Sequence, residues 1–159
     1  NQAARAGADA ALVVPPSYYR AAMTEAVLEA HYRTVADASD IPLLLYHVPK
    51  FSPVTFSPEM VASLSSHPGI IGMKDTSQDM VFLTRCLSEC PEDFMIYVGT
   101  ANILLAGLAL GAAGGGLALA NISPRVPRLS PGTLRAPEKK PCFFYDTFRE
   151  RFVLNRDTF

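Results

Sequence analysis

Two residues of this sequence could make and break carbon bonds, and each closes an apolar run: Lys74 follows Gly69-Ile70-Ile71-Gly72-Met73, and Tyr46 follows Leu43-Leu44-Leu45. Apolar surroundings disfavour an ammonium and lower its pKa, and a neutral lysine amine attacks carbonyl carbon. A phenol at the end of a neighbouring run can relay a proton. Both residues also have an ordinary reading. Lys74 can pair with Asp75 or reach solvent, and a tyrosine in such a place is often a packed ring with a satisfied hydroxyl. On these residues alone both readings stay open. The other residues closing apolar runs are Tyr18 and Tyr19, His47, Asp75, Gly99 and Thr100, and in a barrel of βα units chemistry is drawn from such strand ends.

Composition narrows what these groups could act on. The chain has 159 residues, 49% hydrophobic and 18% charged, with a formal net charge of -1. These values suit one domain with a real core. No block of lysine or arginine offers the electrostatic footprint that nucleic acid or an anionic membrane requires, so neither is expected as a partner. The longest apolar stretch, Ile103 to Ala120, is broken by Gly107, Gly111 and Gly114-Gly115-Gly116, which argues against a membrane span and for a soluble protein. Cys86, Cys90 and Cys142 form no metal-ligand pattern with His31, His47 or His67, and their odd number argues against a disulfide framework. A reducing intracellular setting and no metal are therefore expected. The sequence opens Asn1-Gln2-Ala3 without an initiator methionine or signal-like segment, which reads as a fragment or a gene with a missing start.

The elements that must carry Lys74 and Tyr46 alternate between two kinds. Ala11 to Val14, Pro42 to Tyr46, Gly69 to Met73, Phe94 to Val98 and Gly116 to Ala120 read as buried parallel strands. Between them lie helical segments with start signals. Thr24 can cap a helix whose Leu28, Tyr32, Val35 and Ala36 share a face, with Glu25 in its first turn. Ser57-Pro58-Glu59 opens a second, with Met60, Val61 and Leu64 inward. Ser77 or Asp79 opens a third with Met80, Leu83 and Leu87 on its stripe, and a fourth runs from about Ala101 to Leu110, ends at Gly111, and is apolar enough to be packed on both sides. Asn1 to Gly7 reads as the tail of a helix. Five such βα units fit an α/β fold, either a doubly wound sheet or part of a (β/α)8 TIM barrel. Pro15-Pro16-Ser17 stands where a nucleotide-binding sheet would carry its glycine-rich turn, and Gly114-Gly115-Gly116 precedes a strand, where it permits close approach better than it cradles phosphate. From residue 124 the character changes, with Pro124, Pro127, Pro131, Pro137 and Pro141 interleaved with basic residues. The division expected is a partial barrel over 1–123 and a divergent tail over 124–159, with a short helix somewhere in Cys142 to Phe159.

Tyr46-His47-Val48-Pro49-Lys50-Phe51-Ser52 and Ile71-Gly72-Met73-Lys74-Asp75-Thr76, with 28 residues from tyrosine to lysine, together resemble the signature of the dihydrodipicolinate synthase and N-acetylneuraminate lyase superfamily. Val13 to Arg20 resembles the end of that family's fourth strand and Gly114 to Asn121 its eighth, so the resemblance covers residues 1 to 123. It implies a partial TIM barrel of strands four to eight, without the first three strands or the Gly-x-x-Gly-Glu loop, and hence an impaired polypeptide. It implies a Schiff-base lyase of pyruvate chemistry in which Lys74 forms the imine, Tyr46 shuttles the proton, Thr76 and Gly99 line the substrate pocket, and Tyr19 reaches a neighbouring subunit's site. For Thr76 a helix cap and for Gly99 a backbone turn are the plain alternatives, and for His47 a hydrogen-bonded packing role. Tyr18-Tyr19-Arg20, His67-Pro68, Gly72 to Asp75 and Ala118 to Asn121 resemble 4-hydroxy-2-oxoglutarate aldolase, which yields pyruvate and glyoxylate. Dihydrodipicolinate synthases usually carry arginine where this chain has Phe51, which ranks that activity second, and His47 keeps a sialic acid lyase open. The resemblance further implies a small 2-keto acid substrate, no cofactor, a homo-oligomer, and a mitochondrial location, with the cytoplasm as the alternative. A noncatalytic fragment that associates with a full-length subunit is the competing reading of another class.

Overall fold

The structure, a computed structural model, describes residues 1–118 and the backbone of Cys142–Phe143 and Phe152–Leu154. After a one-turn helix α1 (Gln2–Arg5), strands and helices alternate: β1 (Ala10–Val13), α2 (Glu25–Asp37), β2 (Leu43–His47), α3 (Pro58–Ser65), β3 (Ile70–Asp75), α4 (Met80–Glu89), β4 (Met95–Val98), α5 (Leu104–Leu110) and β5 (Gly114–Gly115). Helices α2, α3 and α4 begin where side chains satisfy otherwise orphaned backbone donors. Thr24 accepts from Val27 N–H, Ser57 from Met60 N–H with Pro58 in the first turn, and Asp79 from both Val81 and Phe82 N–H. Asp79, not Ser77 or Thr76, is thus the cap of α4. Gly111, at φ 110°, ends α5 in the left-handed region that glycine adopts without strain.

All strand pairs are parallel, and β1 to β5 lie side by side in chain order. A doubly wound sheet would reverse its order partway; β1 to β5 do not. The helices accordingly collect on one face. Leu28, Tyr32, Met60, Val61, Leu64, Leu83 and Leu104 pack there with Leu43, Leu45, Met73, Ile96 and Val98 from the strands. The opposite face carries Ala10, Leu12, Leu44 and Tyr97 from the strands, with Tyr46, Ile71 and Met95 and, just before β5, Ala113 against them. One helical layer outside and a small strand-lined core inside is the cross-section of part of a (β/α)8 barrel.

Three expectations need correction. The last strand of the series is Gly114–Gly115, earlier than Gly116 to Ala120, and Leu119 and Ala120 lie outside the described residues. Helix α5 buries Leu104, Gly107 and Leu108 but leaves Leu105 60% and Leu110 47% exposed, so only one side is packed. The short helix expected within Cys142 to Phe159 is replaced, in the described part, by two strands, β6 (Cys142–Phe143) and β7 (Phe152–Leu154). Aromatic and β-branched residues favour that outcome. Strand β6 pairs with β5 and β7 with β1, at opposite ends of the seven-stranded order.

Candidate active site

Tyr46 and Lys74 are register partners on β2 and β3, near the C-terminal ends of both strands. Strict alternation along β3 would place Lys74 on the same face as Ile70, against the helices. A register shift opposite Leu43 and Leu44 intervenes. Beyond it Met73 packs in the helix-side core, while Lys74 turns to the inner face beside Tyr46. Bulges re-aim side chains in this way. The lysine Nζ lies 3.5 Å from the Tyr46 hydroxyl and 4.6 Å from the centre of its ring. Burial pushes the Lys74 pKa down, and it pushes the Tyr46 phenol up. Each shift favours the neutral form of its group. Lys74 does not take Asp75 as its partner: that carboxylate faces the other side of the sheet, bonded to His47 and Ser77.

Glycines make the space around the pair. A methyl group built on Gly116 would stand 3.1 Å from Lys74 Cε, so this residue lets the chain after β5 run against the lysine stem. One on Gly99 would overlap Thr76 Cγ2. Thr76 thus seats on Gly99, with its hydroxyl donating to the His47 carbonyl at 2.9 Å, and Gly99 N–H donates to the Asp75 carbonyl at 2.7 Å. Thr76 and Gly99 therefore meet at the same strand ends as the lysine. Tyr19 does not join them. It stands 72% exposed after β1 with its ring edge-on to Tyr18, itself 90% exposed. Sequence reasoning missed Gly116 as a lysine neighbour, although the glycine run that signals it was visible. A recess of about 380 Å³ among Ser66, His67, Pro68, Pro91 and Asp93 opens where β3 and β4 begin, away from this group. Among the described residues no three His, Cys, Asp or Glu side chains gather to hold a metal ion, and no helix is long and apolar enough to cross a membrane.

An amine and a phenol at adjacent strand ends, each biased by burial toward its neutral form, can form an imine and move protons around it. The chain's relatives carry related names. A 4-hydroxy-tetrahydrodipicolinate synthase of Exiguobacterium sp. is 40% identical over 124 residues, covering 78% of this chain and 42% of that protein. A probable mitochondrial 4-hydroxy-2-oxoglutarate aldolase of Emericella nidulans is 43% identical over 126 residues, 79% of this chain and 41% of that protein. Among solved structures, a prophage protein of the dihydrodipicolinic acid synthase family from E. coli K12, in complex with pyruvate, superposes with a TM-score of 0.73 at 30% identity, over 78% of this chain and 42% of that one. The chain thus spans about two fifths of the length of the relatives it matches. The sequence profile of the dihydrodipicolinate synthetase family matches residues 1–129, and the chain belongs to that family.

Proposed function

We propose that this polypeptide carries the imine-forming half of a Schiff-base lyase acting on a small 2-keto acid, and that 4-hydroxy-2-oxoglutarate is the substrate. The observation that carries the reading is the Lys74 amine, lowered in pKa by burial, 3.5 Å from the Tyr46 hydroxyl. Neutral Lys74 attacks the 2-keto carbon, and the Tyr46 phenol protonates the departing hydroxyl as water, leaving a cationic imine and a phenolate. The phenolate then takes the proton of the 4-hydroxyl as the bond between carbons 3 and 4 breaks. Its electron pair flows into the imine to give an enamine, and glyoxylate departs. Protonation of the enamine at carbon 3 and addition of water release pyruvate and restore the lysine. Thr76 and Gly99 would line the pocket, and Tyr19, exposed as it is, would serve a neighbouring subunit.

A second reading is favoured by a specific observation, the 40% identity to a 4-hydroxy-tetrahydrodipicolinate synthase. Both readings share the pyruvate imine and differ in the aldehyde. The decisive experiment supplies the chain with 4-hydroxy-2-oxoglutarate and follows glyoxylate, and in parallel supplies pyruvate with aspartate semialdehyde and follows pyruvate loss. Glyoxylate release that disappears in Lys74→Ala supports the aldolase. Consumption of pyruvate only with the semialdehyde replaces it with the synthase, and inactivity in both leaves the noncatalytic reading. Copies of the chain associating with one another, and the mitochondrion as their place, belong to the same proposal.

A further inference from the structure

Directly behind Tyr46 and Lys74, the next residues of the two strands make a second pair. His47 and Asp75 are register partners on the helix-side face, 3% and 1% exposed, with His47 Nδ1 at 2.8 Å from the Asp75 carboxylate. His47 Nε2 accepts the backbone N–H of Phe56 at 3.4 Å, so in the neutral ring the proton sits on Nδ1 and is donated to Asp75. The ring lies between Phe56, stacked at 5.0 Å, and Phe82, at 4.6 Å. Asp75 also accepts from Ser77 N–H and the Ser77 hydroxyl, both at 3.0 Å, and Ser77 in turn accepts from Asp79, the cap of α4. One carboxylate thereby joins the loop before α3, the ends of β2 and β3, and the start of α4.

A buried carboxylate costs more than an apolar residue of its size unless it is fully bonded, and packing alone would be served by hydrocarbon. What a directional bond adds is a fixed separation. We propose that His47 and Asp75 are positioning residues: their bond sets how far apart the ends of β2 and β3 stand, and so holds the Tyr46 hydroxyl against the Lys74 amine on the opposite face. The catalytic consequence rests on the Schiff-base reading of Lys74, whereas the geometric one does not.

The test uses the full chain with three substitutions. His47→Asn keeps a donor near the place of Nδ1 and so the bond to Asp75; His47→Gln reaches toward Phe56 and leaves Asp75 without its partner; His47→Phe keeps the ring alone. Two readouts are taken. The first is the pH midpoint for acetylation of Lys74 by acetic anhydride, resolved by mass spectrometry and normalised to its own plateau. Tyr46 from β2 and Tyr97 from β4 are the titratable groups flanking that amine in register, and all variants keep them. The second is the rate at which pyruvate and borohydride trap Lys74. Positioning predicts that His47→Phe and His47→Gln move the midpoint up toward that of an ordinary lysine and slow trapping about tenfold or more, while His47→Asn stays near the parent in both. Equal midpoints in all four proteins overturn it, and so does an Asn variant that departs from the parent as far as Gln does. If the parent traps no pyruvate but the midpoints order as predicted, the Schiff-base reading fails and the positioning role stands. If near-ultraviolet dichroism shows that Phe and Gln do not fold, His47→Asn decides alone: a kept midpoint supports the proposal and a shifted one overturns it.

Discussion

At the scale of single residues, the proposed chemistry depends on burial shifting two groups in opposite directions. Lys74 was legible because a lone lysine closing an apolar strand is conspicuous, and Tyr46 because its run has the same shape. Their shared face was not legible. Period-two alternation from Ile70 puts Lys74 with the helices, and only the register shift beside Leu43 and Leu44 brings it to Tyr46. The local mark was Gly72, a glycine inside the strand run that pairs with Leu44 just past the shift, but the extent of the shift is fixed by how two distant strands pair. Two predictions belong here. Replacing the Tyr46 hydroxyl by hydrogen (Tyr46→Phe) leaves the lysine proposed to form the imine but removes the proposed proton relay, and exchange of pyruvate methyl protons into deuterated water should slow by about 10²-fold or more. Lys74 should also cost stability. Its folded pKa lies below its unfolded value, so the unfolded chain binds the proton more tightly and stability rises with pH between the two values. Lys74→Met removes the penalty of a buried ammonium. It should raise the midpoint of thermal unfolding at neutral pH, and its advantage should shrink as pH climbs toward the ordinary lysine value.

At the scale of elements, the helix starts could be read from the sequence because capping is local: a serine, threonine or aspartate must lie within three residues of the donor it satisfies. Thr24 and Ser57 do what their positions suggest, while the choice between Ser77 and Asp79 needed the structure, in which Ser77 is engaged by Asp75. The ends of the first four strands were found to within two residues, since a buried parallel strand is a nearly continuous apolar run, whereas the fifth was placed past its true position. The tail misled for the same reason that the caps succeeded. β6 and β7 form by pairing with strands far along the chain, and the short runs around Cys142 and Phe152 carry no period long enough to announce them. Among the caps, Asp79 accepts two N–H groups at 2.9 and 3.1 Å, whereas Thr24 accepts one at 3.4 Å. Asp79→Ala should therefore cost about 1 kcal/mol of unfolding free energy, and Thr24→Ala measurably less, as read from urea denaturation of the two variants.

At the scale of the whole molecule, five parallel strands with helices between them, in unbroken order, make part of a barrel, and both edges of that arc meet short strands from the last residues of the chain. Unpaired strand edges are templates for association, so β6 and β7 protect β1 and β5. Deleting residues 124–159 should turn a soluble preparation into one that aggregates with rising concentration, followed by light scattering. A deletion that stayed monodisperse would show that the two strands are not needed to cover those edges. The central claim is that the strand ends gathered here still form an imine, and it is tested most directly by incubating the purified, folded chain with pyruvate and sodium borohydride and weighing it intact. The account predicts a covalent pyruvyl adduct on Lys74 that vanishes in Lys74→Ala. A folded chain that gains no mass, beside a full-length relative that does, would contradict it.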